Sequence, residues 1–502
     1  MHGQIRVVAL FAAITLAGCS TDVVAPEKAV AVSKSASAVA GQAGNYIVLM
    51  KGTAIASGFA ESVSKLGGTV TYANGNAGFA TVSGLTDAAA SQVGAITGIA
   101  EIDADQVATL DTPTASAEAD ASALGNPSIN SIANPASSAR NSWQWDMRAI
   151  GAPAAWAAGK LGSPTVTVAI LDTGIDYDNP DLNGQVDLSR STSFMDTYVL
   201  TSTETVVRPS DNQVSTTFFP TRNKISDYNG HGTNVAATVS SNAVVFAGVG
   251  SKTKLIGVKV LGSNGSGSFG QILSGILWAA DHGADVANMS LGGAFSKAGN
   301  GQLVAAINKV FNYAKQQGML IVVSAGNSAA DLQHNGNTYS SFCDAAHVVC
   351  VSSVGATTWN GNPDVPAFYT NYGRNSISVA APGGNADLDA KGNIKASVGW
   401  PWALPGADIA SWVWSFCSKT RLAGFTTANK PVLTACAAGN RLSGFIGTSQ
   451  ASPHVAGLAA LVIADVGAKQ PQKIKHILEA SGDPIDPALG RGRINVKNAL
   501  GL

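Results

Sequence analysis

Near its C-terminus the chain reads Gly447-Thr448-Ser449-Gln450-Ala451-Ser452-Pro453-His454-Val455-Ala456-Gly457. A serine stands between a turn of small residues and an apolar run at 457–466, a pattern that predicts a helix. A serine hydroxyl is a poor nucleophile at neutral pH, so it needs a base for its proton and donors for the resulting oxyanion. A helix start offers unpaired N–H groups and the positive end of a dipole, both suited to developing negative charge. The same serine also fits a plain helix cap. The choice depends on whether the rest of the chain supplies the base, a carboxylate and an oxyanion donor.

Upstream lie several short β-branched and apolar runs, at 165–171, 255–261, 286–291, 320–324, 348–354 and 376–380. Runs of this kind are typical of parallel strands buried on both faces. Helical patterns at 268–282 and 302–317 fall between them, which predicts an α/β fold: a parallel sheet with helices on both faces. In such sheets functional groups gather at the carboxyl ends of the strands.

Those ends carry polar groups. The first strand runs into Asp172-Thr173-Gly174-Ile175-Asp176, where a carboxylate can orient an imidazole or simply turn the chain. His231 lies in Asp227-Tyr228-Asn229-Gly230-His231-Gly232-Thr233, and its glycine neighbours permit close backbone approach. The strand 320–324 continues into Ala325-Gly326-Asn327, whose amide can donate to an oxyanion beside the N–H of Ser449, or form a turn. The strand 286–291 leads into Ser290-Leu291-Gly292-Gly293, an exposed backbone able to accept an extended peptide as an added strand.

Taken in order, these five motifs resemble those of the subtilase family, the subtilisin-like serine peptidases, over roughly 143–502. The chain order Asp172, His231, Ser449 is the subtilisin order, which differs from those of chymotrypsin and the α/β-hydrolases. The resemblance implies that Asp172 orients His231, that His231 is general base and then acid, and that Ser449 attacks the scissile carbonyl. It implies Asn327 in the oxyanion hole, and Ser290, Leu291 and Gly292 with Ser324, Ala325 and Gly326 flanking an extended substrate. Gln450 stands where the family usually has Met, and Asn234 and Ala237 where His and Gly are common, which predicts altered stability or oxidation resistance. Asp181 matches a family calcium ligand. A hard cation wants six or more oxygens, however, and the loop 240–248 is short and lacks an Asn-rich turn. Structural calcium therefore stays open, and the chemistry requires no cofactor.

The 502 residues carry a net charge of −1 and no long basic run, which argues against a nucleic-acid partner. Residues 1–18 read as a signal peptide: Arg6 precedes an apolar run at 7–16 that is too short to span a bilayer, which takes about 20 residues. Leu16-Ala17-Gly18-Cys19 resembles a bacterial lipobox, with Cys19 as the lipidation site; ordinary cleavage near Ala17 is the alternative. The expected location is exported, as an extracellular protein or a cell-surface or outer-membrane lipoprotein before maturation. The membrane is met only through that anchor.

Cys343, Cys350, Cys417 and Cys436 allow three disulfide pairings, of which sequence proximity favours Cys343–Cys350 and Cys417–Cys436. No metal-finger spacing is present.

Residues 19–44 read as a tether. The order of strands and helices in 45–110 predicts a small α+β ferredoxin-like module. Placed before a subtilase domain, it is similar to that family's propeptide, an intramolecular inhibitor until cleaved. Residues 111–141 read as an aperiodic linker, and 142–502 as the main domain. Two insertions mark that domain, a polar stretch at 197–219 and the segment 386–442 with Trp400, Trp402, Trp412 and Trp414. The second is either an aromatic flap over the cleft or a lobe stabilised by its own tryptophans. Two rival functions remain in view: a non-catalytic peptide-binding lipoprotein, which would lack a triad member, and an esterase, which would carry its Ser first.

Overall fold

The computed structural model describes residues 44–110, 116–120, 131–201, 204–357, 361–388, 390, 412–467 and 469–502. The signal peptide, Cys19, the tether up to residue 43, and Trp400 and Trp402 lie outside the described residues.

The first module runs β1 (Gly44–Met50), α1 (Phe59–Lys65), β2 (Thr69–Asn74), β3 (Phe79–Leu85), α2 (Asp87–Gly94) and β4 (Ile99–Ala104). Its strands form an antiparallel sheet in the order β2-β3-β1-β4, which matches the ferredoxin-like expectation. Side chains on β1 alternate between two cores, as the period of two demands. Tyr46, Val48 and Met50 pack with Phe59, Val63 and Val93 of the module's own helices. Ile47 and Leu49 enter the core of the main body. The module is therefore docked by one whole sheet face. After it come β5 (Val107–Thr109) and β6 (Ser116–Asp120).

The main body contains α3 (Trp145–Ala149), α4 (Ala152–Ala157), β7 (Thr167–Asp172), β8 (Thr192–Ser193), α5 (Asp211–Phe218), α6 (His231–Val239), β9 (Lys254–Lys259), β10 (Ser266–Ser268) and α7 (Phe269–Asp281). It continues with β11 (Val286–Met289), β12 (Phe295–Ser296), α8 (Gly301–Gln316), β13 (Leu320–Ser324), β14 (Thr338–Tyr339), β15 (Val348–Val354) and β16 (Val379–Pro382). The last elements are β17 (Val413–Phe416), β18 (Leu422–Phe425), β19 (Pro431–Leu433), β20 (Arg441–Phe445), α9 (Thr448–Val466), α10 (Pro471–Ala480) and α11 (Val496–Ala499).

Seven strands form one parallel sheet in the order β16-β15-β13-β11-β7-β9-β8. Its faces bury two separate apolar cores, one against α7 and α8 and the other against α6 and α9. This is the α/β class expected from the sequence. The chain crosses from β7 to β9 through α5 and α6, so Asp172 and the head of α6 meet at the sheet's carboxyl edge.

Two departures from the sequence reading stand out. The segment read as a linker holds β6, which pairs antiparallel with β20. From Ser131 onward that segment is packed on the body, with Ser131 N–H donating to the Asn242 carbonyl. The described part of the second insertion is neither a bare flap nor a separate lobe. Trp412 and Trp414 are buried with Trp143, Phe246 and Leu442, and β17, β20 and β6 form a three-stranded sheet in that spatial order. Among the described residues no single helix is long and apolar enough to cross a membrane.

Candidate active site

Asp172, the last residue of β7, is fully buried. Its Oδ1 accepts from Thr173 N–H at 2.7 Å and lies 2.8 Å from His231 Nδ1, with Oδ2 at 3.1 Å. His231 is the first residue of α6. The close approach depends on glycine: a Cβ on Gly232 would fall 2.2 Å from the Gly174 carbonyl and 3.0 Å from Asp172 Oδ1. Gly230, on the other side, has φ of +104°. Burial pushes the His231 pKa down, but attraction and hydrogen bonding from Asp172, with a further pull from Asp227, outweigh it and leave the pKa raised.

Asp227 organises this loop, and nothing in its local sequence marked it out. Its Oδ1 accepts from the N–H groups of Asn229 and Gly230 and from Thr173 Oγ1, and its Oδ2 from the N–H and hydroxyl of Thr233. Beneath it, buried Lys259 donates to the carbonyls of Thr173 and Ser226 and pairs with Asp211 of α5 at 2.7 Å. The first insertion is thereby wired to the Asp172 loop.

Ser449 is the second residue of α9, after Gly447 at the cap position. Its Oγ donates to the Ser290 carbonyl at 3.3 Å, and among the described residues no hydrogen bond joins it to His231. Ser290 Oγ in turn donates to the Ser449 carbonyl at 2.7 Å, so the end of β11 and the head of α9 are latched together. Asn327 Oδ1 accepts from the N–H and hydroxyl of Thr448 at 2.8 and 2.9 Å, which leaves Nδ2 as the donor end of the amide. Gly326 N–H donates to Thr448 Oγ1 and Ala325 N–H to the Val351 carbonyl. Ser324 Oγ sits 3.5 Å from the carbonyls of Met289 and Leu291. The candidate site residues on β7, α6, β11, β13 and α9 thus converge at one edge of the sheet.

A stretch of the chain lies in the cleft beside them. β5 pairs antiparallel with β10, Thr109 bridges Gly292, and Leu110 N–H donates to the Gly265 carbonyl at 2.8 Å. On the far side, β20 runs directly toward Ser449, and its Phe445 ring packs edge-on to His231 at 6.1 Å.

Two of the residues that depart from the family pattern meet here. Gln450 Nε2 donates to Asn234 Oδ1 at 3.3 Å, and Asn234 Nδ2 donates to the Val413 carbonyl and Ser415 Oγ of β17, each at 3.1 Å. They tie the inserted sheet to both helices of the site. Ala237 is buried among the apolar residues beneath α6 and α9. His454 is structural, buried between the Gln450 carbonyl and Asp146.

Cysteine pairing follows sequence proximity, Cys343 with Cys350 and Cys417 with Cys436. Glu118 lies near the second pair, whose sulfurs are already consumed and offer no thiolate to a metal. Asp181 does not fit a calcium ligand. Its two oxygens accept the backbone N–H groups of Val244, Val245 and Phe246 at 2.8–3.0 Å, which puts donors where a cation needs oxygens.

A parallel sheet bearing a buried Asp–His pair and a helix-start serine on one edge defines the subtilisin-like class of folds. The chain belongs to the subtilase family, whose family model matches residues 163–498. Alkaline elastase YaB of a Bacillus species is 33% identical over 320 residues, 63% of this chain and 59% of that protein. Subtilisin Savinase of Lederbergia lenta is 30% identical over 320 residues, 63% of this chain and 83% of the relative. The chain thus spans about three-fifths of the elastase. Among solved structures, the epidermin leader peptide processing serine protease of Staphylococcus aureus is similar in fold, with TM-score 0.64, 22% identity, and coverage of 92% of this chain and 98% of that one. Fervidolysin of Fervidobacterium pennivorans gives TM-score 0.60 at 22% identity, covering 92% of this chain and 62% of that one.

Proposed function

We propose that the chain is an exported serine endopeptidase, made as a zymogen, which cuts peptide bonds with Asp172, His231 and Ser449. The supporting observation is the chain's own residues 107–110, paired as an added strand between β10 and Gly292, next to Ser290 whose carbonyl accepts from Ser449 Oγ. A cleft that takes an extended backbone on both sides is built for polypeptide.

In this mechanism His231 Nε2 takes the proton from Ser449 Oγ, which leaves its contact with Ser290 and attacks the carbonyl carbon. The oxyanion accepts from Ser449 N–H, at the head of α9, and from Asn327 Nδ2. Asp172 holds Nδ1 and stabilises the imidazolium. His231 then protonates the leaving amine, and water repeats the sequence on the acyl-enzyme. Ser290, Leu291, Gly292, Ser324, Ala325 and Gly326 would line the bound peptide. Ser328 after Asn327 favours neutral or apolar side chains before the cut bond.

The module 45–110 acts as the intramolecular inhibitor, and maturation cuts within 111–141. With Cys19 lipidated, the anchor would stay with the module and the protease would leave the membrane. Ser449→Ala tests the central assignment: casein hydrolysis and self-cleavage vanish if the reading holds, and equal activity in both proteins refutes it. Mass spectrometry of the active enzyme tests release, which an N-terminus at Cys19 would exclude.

A further inference from the structure

The segment β6 meets the site through β20, whereas β5 is paired with β10 and Gly292. Ser116 pairs with Phe445, Glu118 with Ser443 and Asp120 with Arg441, so β6 runs away from His231 along the strand that leads into Ser449. β5 and β6 are consecutive strands of the chain, β5 bridging Gly292 close to Ser290, which touches Ser449, and β6 pairing with the strand that leads into Ser449. A substrate whose N-terminal part follows β5 would leave the site along β20.

Two side chains of β6 are specifically received. Glu118 Oε1 accepts from Arg421 Nη1 at 3.1 Å and Oε2 from Arg441 Nε at 3.2 Å, so one carboxylate bridges two guanidinium groups. Among the described residues neither arginine has another carboxylate partner. Ala119 points to the other face, buried against Leu442, Trp143 and Trp414. The Cys417–Cys436 disulfide braces the segment between them, since Arg421 follows Cys417 and Arg441 follows Cys436.

An ion pair that served only to fix a surface segment would need neither a shared strand edge nor a pocket for the next side chain. We propose that Arg421, Arg441 and β20 form a subsite for an acidic residue, followed by a small one, on the C-terminal side of the cut bond. Glu118 and Ala119 fill this subsite in the uncleaved chain. The proposal rests on Ser449 being the nucleophile. Cleavage within 111–115 would make β6 part of a new N-terminal arm, and the subsite would then open to other acidic polypeptides whenever that arm lifts.

The test uses the active enzyme and a fluorogenic peptide of this chain's residues 107–122, carrying Glu, Gln or Lys at position 118. The two arginines are partly exposed, so charge-assisted bonding is discounted for solvent, and the Glu form should exceed the Gln form about fivefold to tenfold in kcat/KM, through KM. Arg421→Ala with Arg441→Ala should bring that ratio close to one, and Arg441→Glu should favour the Lys form. Wild-type preference should also shrink in about 0.5 M salt, a check that needs no variant. Casein cleavage with all three peptides cut equally, or with none cut, overturns the subsite alone. So does a preference that survives loss of both arginines. If wild type cuts neither casein nor peptides, the protease reading fails instead.

Discussion

Replacing Gln450 with methionine, the residue usual in the family, should destabilise this protein. Gln450 and Asn234 are both buried, and Gln450 Nε2 is the donor to Asn234 Oδ1. Methionine has nearly the same volume, so no cavity opens, but a buried acceptor loses its partner. That loss costs about 1–3 kcal/mol, and the 3.3 Å length of the bond puts this case near about 1 kcal/mol. For a body of this size the thermal midpoint should fall by about 2 °C. The measurement belongs in a Ser449→Ala background, where self-digestion cannot distort the melt. Asn234→Ala also removes the two bonds to β17 and should cost more, about 2–4 kcal/mol. Because the two residues are in contact, the double variant should lose about 1 kcal/mol less than the sum of the singles. Strict additivity, or a Gln450→Met protein as stable as its parent, would refute the idea that these residues work as a pair. In the active enzyme the same substitution should introduce peroxide sensitivity, because a thioether beside Ser449 oxidises to a polar sulfoxide.

If His231 is the general base, its raised pKa sets the acid limb of activity: a base works only when neutral, so kcat/KM should rise with pH through a midpoint above 6.5. Asp172→Asn removes the attraction, so that midpoint should move down while kcat falls about 10⁴-fold, as a pH-rate profile would reveal. Asp105 is buried at the head of α7, where its Oδ1 accepts from Gly270 N–H, and burial pushes its pKa up to about 6 from 3.8. Its protonated form therefore favours docking of the 44–110 module; this contribution is full below about pH 4 and is lost as pH rises through about 6. Protection factors of the module's amides in the Ser449→Ala chain, taken relative to the intrinsic exchange rate at each pH, should fall between pH 4.5 and 7, and Asp105→Asn should flatten that fall. Asp227→Ala strips five hydrogen bonds from the loop that presents His231 and should lower kcat at least about 10²-fold, because the base is misplaced. Titration of His231 by NMR would distinguish that displacement from global unfolding.

The buried strands were readable because a parallel strand covered on both faces must be mostly apolar, and β7, β13 and β15 carry apolar runs of four residues, at 168–171, 320–323 and 348–351. The Asp172, His231, Ser449 and Asn327 motifs were readable because glycine and small residues must surround groups that approach so closely. What escaped was whatever depends on a distant partner. β6 is a short run of Ser, Ala, Glu and Asp with no strand signal, ordered by β20 more than three hundred positions away. Asp227 looks like any turn aspartate until its five donors are assembled around it. Gln450 and Asn234 were visible as oddities, but their contact, across 216 positions, was not. Asp181 matched a family calcium ligand by its motif, but the three backbone donors it accepts from residues 244–246 were not visible, because N–H groups have no sequence signature.

That last site bears on how the protein relates to its surroundings. An ion-bound loop is only as ordered as the ambient ion concentration allows, and a chelator can dismantle it. Here the counter-charge to Asp181 is three peptide N–H groups, delivered at fixed stoichiometry when the chain folds. The corner formed by residues 240–248 should therefore keep its order when a chelator is added and gain none when calcium is, which hydrogen exchange of residues 244–246 with and without EDTA would check.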